Sequence, residues 1–444
     1  MSPNALVRRL NRSTPKDAAL RFVAEETLGP GAPLRRWQLA NGLTVLTLED
    51  KSAPVVGFQT WLRVGSRDEV GDKTGLAHFF EHLMFLATKN YEAGAIDELF
   101  EGAGAEHNAG TSTDWTQYYE NMPAKKLELA VALESDRLAN LDFQVEAMEA
   151  EREAVLSERR NYIDDDVEGK AGEVLYQRAF KKHGYGHPTL GWARDIRAYT
   201  MAECRAFYRK YYAPNNATLV VVGAIDEADT LGLIQSYYGP LKASRIAKRK
   251  AIIEPAQRRE RRAQIALPSS TEKLSIGYRA PGFGHPDWPV LSVLGDILFG
   301  GRSARVYKDL VLEREWVSQL YGSLPPFEEP GLYEVWAGMR SGKTAAQALA
   351  RIDAAVAEVQ KNSVTGPELE KAKARAELSL LLSMESISGK AEQIGFDELV
   401  LRSPAASAAR IEAYRQVTQE DIRRVAQTYL VARRRTTVVV VPDS

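Results

Sequence analysis

One segment of this chain is written twice, and that repetition restricts its fold more than any other feature. Thr200-Met-Ala-Glu203, Tyr211 and the run Ala217 to Gly223 return near the C-terminus at a constant offset of 218. Thr200 matches Thr418, Tyr211 matches Tyr429, Thr218 matches Thr436, and Val220 to Val222 match Val438 to Val440. Leu83-Met84-Phe85 lines up with Ile297-Leu298-Phe299 at an offset of 214. A period this long within 444 residues marks a duplicated domain, not a stack of short repeats. It agrees with a length beyond what one hydrophobic core usually serves. The expected division is a first domain over 1–242, a linker over 243–262 and a homologous second domain over 263–444. Ala243 to Arg262 is rich in Lys, Arg and Gln with few periodic apolar positions, which suits an exposed connection.

Within the first half, Trp37 to Leu48 holds two β-rich runs around Asn41-Gly42, a dipeptide that favours a tight hairpin turn, so the domain is expected to open on a hairpin. Val55 to Val64 reads as a strand. Thr74 to Ala87 reads as a buried helix preceded by Gly75. Lys125 to Asn140, Ala147 to Asn161 and Ala171 to Phe180 carry helical spacing, and Gly184-Tyr-Gly-His-Pro188 breaks it as a loop.

The buried helix carries His78-Phe79-Phe80-Glu81-His82. Residues four apart on a helix lie about 40° apart, so His78 and His82 share one face, and Glu81 lies about 60° to the other side of His78. Two neutral imidazoles and one carboxylate can hold zinc with a position left for water, and a neighbouring carboxylate can take that water's proton. With 6 His in the chain, the spacing arises by chance on the order of once in two hundred such sequences. The structural alternative, a core helix whose histidines are merely hydrogen-bonded, would bury two His and a Glu among Phe79, Phe80, Leu83 and Phe85 at a high desolvation cost. A third ligand must come from elsewhere. The acidic helix Glu149-Ala-Glu151-Arg-Glu153-Ala-Val-Leu-Ser-Glu158 is the source at hand, with Glu151 and Glu158 on one face.

Composition narrows the chemistry further. The single cysteine, Cys204, rules out a disulfide framework and a cysteine-rich zinc module. A net charge of −1 gives no reason to expect nucleic acid. No apolar run has the length of a signal peptide or a membrane span, so a cytoplasmic protein is expected, or a periplasmic one if a signal has been removed.

These residues resemble the inverzincin metallopeptidases, the group of pitrilysin, insulin-degrading enzyme and mitochondrial processing peptidase, whose motif has this H-x-x-E-H order. The resemblance covers nearly the whole chain. It implies an α+β fold of two homologous domains, each a mostly antiparallel sheet packed against helices, with one Zn2+ per chain in the first domain only. In the family the third ligand lies roughly 75 residues past the second His, in an acidic helix. Glu158, 76 residues past His82, matches that ligand, and Glu151 matches the carboxylate behind it. By the same match Glu81 is the catalytic base of an endopeptidase. The segment Gly104 to Ser112 is similar to the family's substrate-binding edge strand, with Asn108, Ala109 and Thr111 as contacts to an extended peptide. His107 and His187 fall in family strands and loops and not among the ligands. Gly300-Gly301-Arg302-Ser303-Ala304-Arg305 resembles the turn of the family's second half, and the repeat register sets Ser292, Gly295 and Asp296 opposite His78, Glu81 and His82.

One departure bears on partners. Single-chain and self-paired members of the family are expected to carry an Arg and a Tyr, seven apart, shortly after the Gly-Gly turn, to hold the substrate carbonyl; a gapless alignment puts Val311 and Ser318 there. Arg314 and Tyr321 have the right spacing three residues late. If the pair is absent, the donors come from a homologous zinc-less chain in a heterodimer, of the two-chain bacterial type. The alternative reading is a non-catalytic assembly subunit similar to the family's respiratory-complex core proteins. Arg340-Ser-Gly342-Lys343-Thr344 resembles the end of a phosphate-binding loop, but Ala337 stands where its first glycine is required, and a helix capped by Thr344 explains it better.

Overall fold

The duplicated segments fold alike. In a computed structural model of the chain, which describes residues 2–29, 31–249 and 251–443, Thr200 caps the helix Met201–Tyr211 and Thr418 caps the helix Gln419–Tyr429. Each threonine accepts from the backbone N–H three residues on while an acidic side chain there reaches back to it. A strand follows each helix and takes a central place in its sheet.

Twelve strands are found among the described residues: β1 (Leu20–Gly29), β2 (Ala32–Leu39), β3 (Thr44–Glu49), β4 (Val55–Leu62), β5 (Glu106–Thr111), β6 (Thr116–Pro123), β7 (Ala217–Gly223), β8 (Arg261–Leu267), β9 (Lys273–Arg279), β10 (Val317–Ser323), β11 (Leu332–Met339) and β12 (Arg435–Pro442). The first sheet runs β1-β2-β3-β7-β4-β6-β5, and the second, read from its other end, β8-β12-β9-β11-β10. The five strands β3-β7-β4-β6-β5 thus have counterparts in the same spatial order. In both sheets one pair is parallel, β3 with β7 and β8 with β12, and the remaining neighbours are antiparallel. This is the α+β architecture the sequence implied.

The chain forms two compact units, and neither is a continuous half. One comprises Met1–Leu156, Thr189–Lys250 and Leu382–Ala408; the other Ser157–Pro188, Ala251–Leu381 and Ala409–Ser444. In the first, the helix Ile387–Leu401 lies on β4 and β7, so close that a Cβ at Gly395 would collide with the Trp61 indole. In the second, the helix Val167–Ala179 packs on β8, β9 and β12, with Leu175 within 3.3 Å of a Cβ position at Gly277. These two helices begin 220 residues apart (387 less 167), so each sheet is covered by a helix from the other repeat.

In the first unit β7 is buried along its whole length, as expected for a central strand with both faces covered. Leu219 and Val221 enter the core that holds the motif helix, whereas Val220 and Val222 face the opposite layer with Trp61, Ala391 and Ile394. The hairpin at Asn41-Gly42 forms, with Gly42 at φ +93° and the Leu39 N–H donating to the Leu43 carbonyl at 2.9 Å. It is not the opening element: a helix, Pro3–Leu10, and β1 precede it. β1 escaped the sequence reading because its inward residues alternate with charged ones on an edge strand, which dilutes any apolar run. Thr344 caps the helix Ala345–Asn362 as expected, its hydroxyl accepting from the Gln347 N–H. The described residues of 243–259 form no helix or strand, and the first two residues of β8 are the last two of the expected linker. In the first unit this region is tied down, with Arg249 bonded to Asp68 and to the Asp114 carbonyl. No helix among the described residues is long and apolar enough to cross a membrane.

Candidate metal centre

The motif helix, Leu76–Leu83, starts from Gly75 in the left-handed region at φ +89°. A Cβ at Gly75 would collide with the Leu190 carbonyl oxygen, and one at Gly191, itself at φ +78°, would collide with the Thr74 carbonyl oxygen. Two glycines therefore let the start of this helix lie directly against the 190–191 backbone. The open N–H groups of its first turn are taken by Glu69, which accepts from Gly75 at 2.7 Å and from Ala77 at 2.8 Å. Burial pushes the Glu69 carboxyl well above the usual range even against those two bonds.

Leu76, Phe79, Phe80 and Leu83 fill the core, and His78 is 8% exposed. Phe80 stacks on Phe207 with ring centres 5.0 Å apart, and Phe79 meets Tyr199 at 5.3 Å. With that apolar face fixed, the His78 and His82 rings come together, centroids 4.8 Å apart and planes at 66°. The acidic helix, Val145–Arg159, brings Glu158 to them. One ligating atom from each of His78, His82 and Glu158 lies within 4.8 Å of the others, the group of His, Cys, Asp or Glu residues among the described ones that could hold a metal ion. Glu151, two turns earlier on the same helix, holds His82 Nδ1 with Oε2 at 3.2 Å. The donor set suits zinc: two imidazole nitrogens and a carboxylate oxygen converge, and one imidazole is oriented from behind by a second carboxylate.

Several groups that fix this arrangement were not visible to sequence reasoning. Arg152, buried in the acidic helix, donates to the Ile196 carbonyl and, at 2.8 Å, to the Tyr199 carbonyl. Tyr199 in turn donates its hydroxyl to the Thr74 carbonyl, and the Thr74 hydroxyl donates to Asp195 at 2.6 Å. A continuous path of bonds thus ties the acidic helix to Thr74, two residues before the motif helix. Behind it, the Tyr118 and Tyr212 hydroxyls are 3.0 Å apart, and burial, with a smaller contribution from the Glu81 charge, raises both phenols. Glu69 and Asp195 carry no signal in local periodicity; only their folded positions identify them.

β5 is the last strand of its sheet, hydrogen-bonded to β6 on one side. Asn108, Ala109 and Thr111 all lie on it, and the Asn108 side-chain oxygen accepts from the Ala109 N–H at 2.8 Å. His107 bonds Asp97 at 2.9 Å and packs against Phe100, and His187 bonds the Pro188 carbonyl. In the second unit Ser318 donates to the Gly338 carbonyl, Val311 lies in the turn Lys308–Glu313, and Arg314 is paired with Asp309 at 2.8 Å over the Trp316 ring. Tyr321 is on β10 and 41% exposed. Ser292, Gly295 and Asp296, opposite the metal motif by the repeat register, line a cavity of about 290 Å³ in which Asp296 pairs with Arg375 at 3.0 Å.

Residues 44–192 match the insulinase family of peptidases, M16, and residues 198–376 match the domain described as the peptidase M16 inactive domain. An uncharacterized zinc protease of Mycobacterium tuberculosis is 29% identical over 91% of this chain and 93% of its own length. A probable mitochondrial-processing peptidase subunit beta of Schizosaccharomyces pombe is 28% identical over 87% of both chains. The crystal structure of a protease from Helicobacter pylori superposes with a TM-score of 0.86 at 27% identity, over 95% of this chain and 99% of the other.

Proposed function

This chain belongs to the M16 family of peptidases, and from that premise we propose that it is a zinc-dependent endopeptidase subunit acting on extended or unstructured peptides. The observation that carries the reading is the convergence of His78, His82 and Glu158 to within 4.8 Å, with Glu81 on the same helix. On this reading those three residues hold the metal and Glu151 orients His82. A zinc ion held there would supply Lewis acidity, lowering the pKa of water towards 7 and polarising a peptide carbonyl. Glu81 takes the proton from the attacking water and returns it to the leaving amine. The open edge of β5 receives the substrate as an added strand, so recognition rests on backbone pairing that tolerates many sequences. Ala109 supplies its N–H to that pairing once Asn108 yields it, and Thr111 flanks the peptide.

The same reading takes 1–242 and 263–444 as the duplicated sequence units, with 243–262 between them, and assigns the donors for the substrate carbonyl to a homologous zinc-less partner. Two facts support a partner: the Arg314 guanidinium is engaged by Asp309, and the fission-yeast relative is named as a subunit. The test is Glu81→Gln. It should abolish hydrolysis of unstructured peptides while leaving zinc bound; retained turnover refutes the assignment of Glu81, and a chain that binds no zinc refutes the metal centre. Peptidase activity of the isolated chain that a co-purified partner does not raise would remove the heterodimer.

A further inference from the structure

The sheet that carries β5 has a second face, turned away from the motif helix, and a cavity of about 670 Å³ opens on it. That volume is within the roughly 300–1,000 Å³ of sites that take small ligands and side chains. Strand register shows which residues look into it. Glu106 pairs with Asn121 and Asn108 with Tyr119, while Gly57 and Gln59 of β4 pair with the same two residues of β6. This row shares one face, and the start of the helix Ile387–Leu401 covers its inner end: a Cβ at Gly57 would sit 3.6 Å from Ile387 and 3.7 Å from Ala391. The alternate row, His107, Ala109 and Thr111, belongs to the other face, where Ala109 packs into the core of the motif helix.

The walls differ in chemistry. Val55, Pro123 and Ile387 supply apolar surface; Glu106 and Glu392 are the charged lining residues among those described, and no lysine or arginine is among them. Burial, and then the charges of Glu106 and Glu392, raise the Tyr119 phenol, which also lines the cavity. The positive end of the covering helix is already engaged, since Ser386 accepts from the Gly389 N–H at 2.9 Å.

We propose that this cavity receives the side chain of a lysine or arginine from an extended peptide paired to the open edge of β5, its aliphatic stem against Val55, Pro123 and Ile387 and its charge between Glu106 and Glu392. The inference rests on the peptidase reading and adds a substrate class to it. In a strand, successive side chains point to opposite faces, so only every second residue of such a peptide can reach the cavity. The residues between them point towards the motif helix. Preference for a basic residue therefore has a period of two along the substrate. A basic residue moved by one place loses the pocket.

The experiment uses the full-length Glu81→Gln chain, with any partner that co-purifies, and fluorescent alanine-rich peptides in which one lysine is moved a residue at a time. Binding is read by anisotropy. Lysine at one position, or at positions two apart, should tighten binding about three- to tenfold over the all-alanine peptide, as two partly exposed ion pairs would. Lysine at the adjacent positions should not. In the same chain carrying Glu106→Gln and Glu392→Gln the gain should fall to within about twofold. A lysine effect that is uniform along the peptide, or that survives the double substitution, overturns the pocket. Peptides hydrolysed by the unsubstituted chain without positional preference also overturn it, yet leave the peptidase reading standing. If the zinc-loaded unsubstituted chain hydrolyses none of the peptides, the peptidase reading itself falls and the pocket with it.

Discussion

Glu151 holds His82 through a contact of 3.2 Å between Oε2 and Nδ1, and His82 is one of the three residues that converge on the candidate metal site. A carboxylate behind a ligating imidazole fixes its tautomer and raises its basicity. Replacing Glu151 by Gln keeps the shape and removes the charge, and should weaken zinc binding by about 10- to 100-fold. Competition against a chelator of known affinity measures this. An unchanged affinity would mean that Glu151 only solvates the helix surface.

A second prediction concerns charge sealed beneath the site. Glu120 is 0% exposed, with Oε1 3.8 Å from Arg137 Nη2, and Glu134 meets the same nitrogen at 2.7 Å. Two carboxylates face one guanidinium, and the Arg137 charge also lies over the Phe85 and Tyr118 rings. Burial first, and then the Glu134 charge, push Glu120 well above the usual carboxylate range, so the folded chain keeps a proton there that the unfolded chain releases. A raised folded value means that stability is full below the ordinary carboxylate range and is lost as pH rises from it towards the folded value. Glu120→Gln removes that titration. Urea unfolding at pH 5 and pH 8 should show the native chain losing more stability across the interval than the variant; parallel losses would refute it.

Gly191 supplies the third. Its φ of +78° and the collision of a Cβ with the Thr74 carbonyl oxygen give an alanine no accommodation without moving the start of the motif helix. Gly191→Ala should cost roughly 1–3 kcal/mol of stability. Because Thr74 precedes that helix, the variant should also bind zinc more weakly at temperatures where it remains folded. A stable variant with native zinc affinity would show that the backbone has room to yield.

The sequence made His78, His82 and Glu158 legible because two of them share a helix turn and the third lies at a family spacing. The duplication was legible through Thr200 and Thr418, since a capping box is written in four consecutive residues. What stayed hidden was non-local. Nothing in the pattern of Ile387–Leu401 says that it covers β4 and β7, or in Val167–Ala179 that it covers β8, β9 and β12, because an apolar face does not name its partner. Glu69 and Asp195 were hidden for a related reason. Each is an ordinary acid in a polar stretch until folding sets it against the N–H groups or the hydroxyl it satisfies.

The last prediction concerns the second repeat's counterpart of the candidate metal centre. Ser292 and Asp296 stand where His78 and His82 stand in the first half, and Arg375 reaches Asp296 there at 3.0 Å. Neither a serine hydroxyl nor a carboxylate already held by a guanidinium competes with imidazole for zinc, and the fixed positive charge of Arg375 opposes a divalent cation at that point. Burial leads a rise in the Asp296 carboxyl above its ordinary value, which further weakens it as a ligand. Elemental analysis of the purified chain should therefore find one zinc per polypeptide and not two. Replacing His78 and His82 by alanine should bring the content to background, because no second set of imidazoles remains to retain the ion. Residual stoichiometric zinc in that double variant would show that the ion is held elsewhere than by His78 and His82.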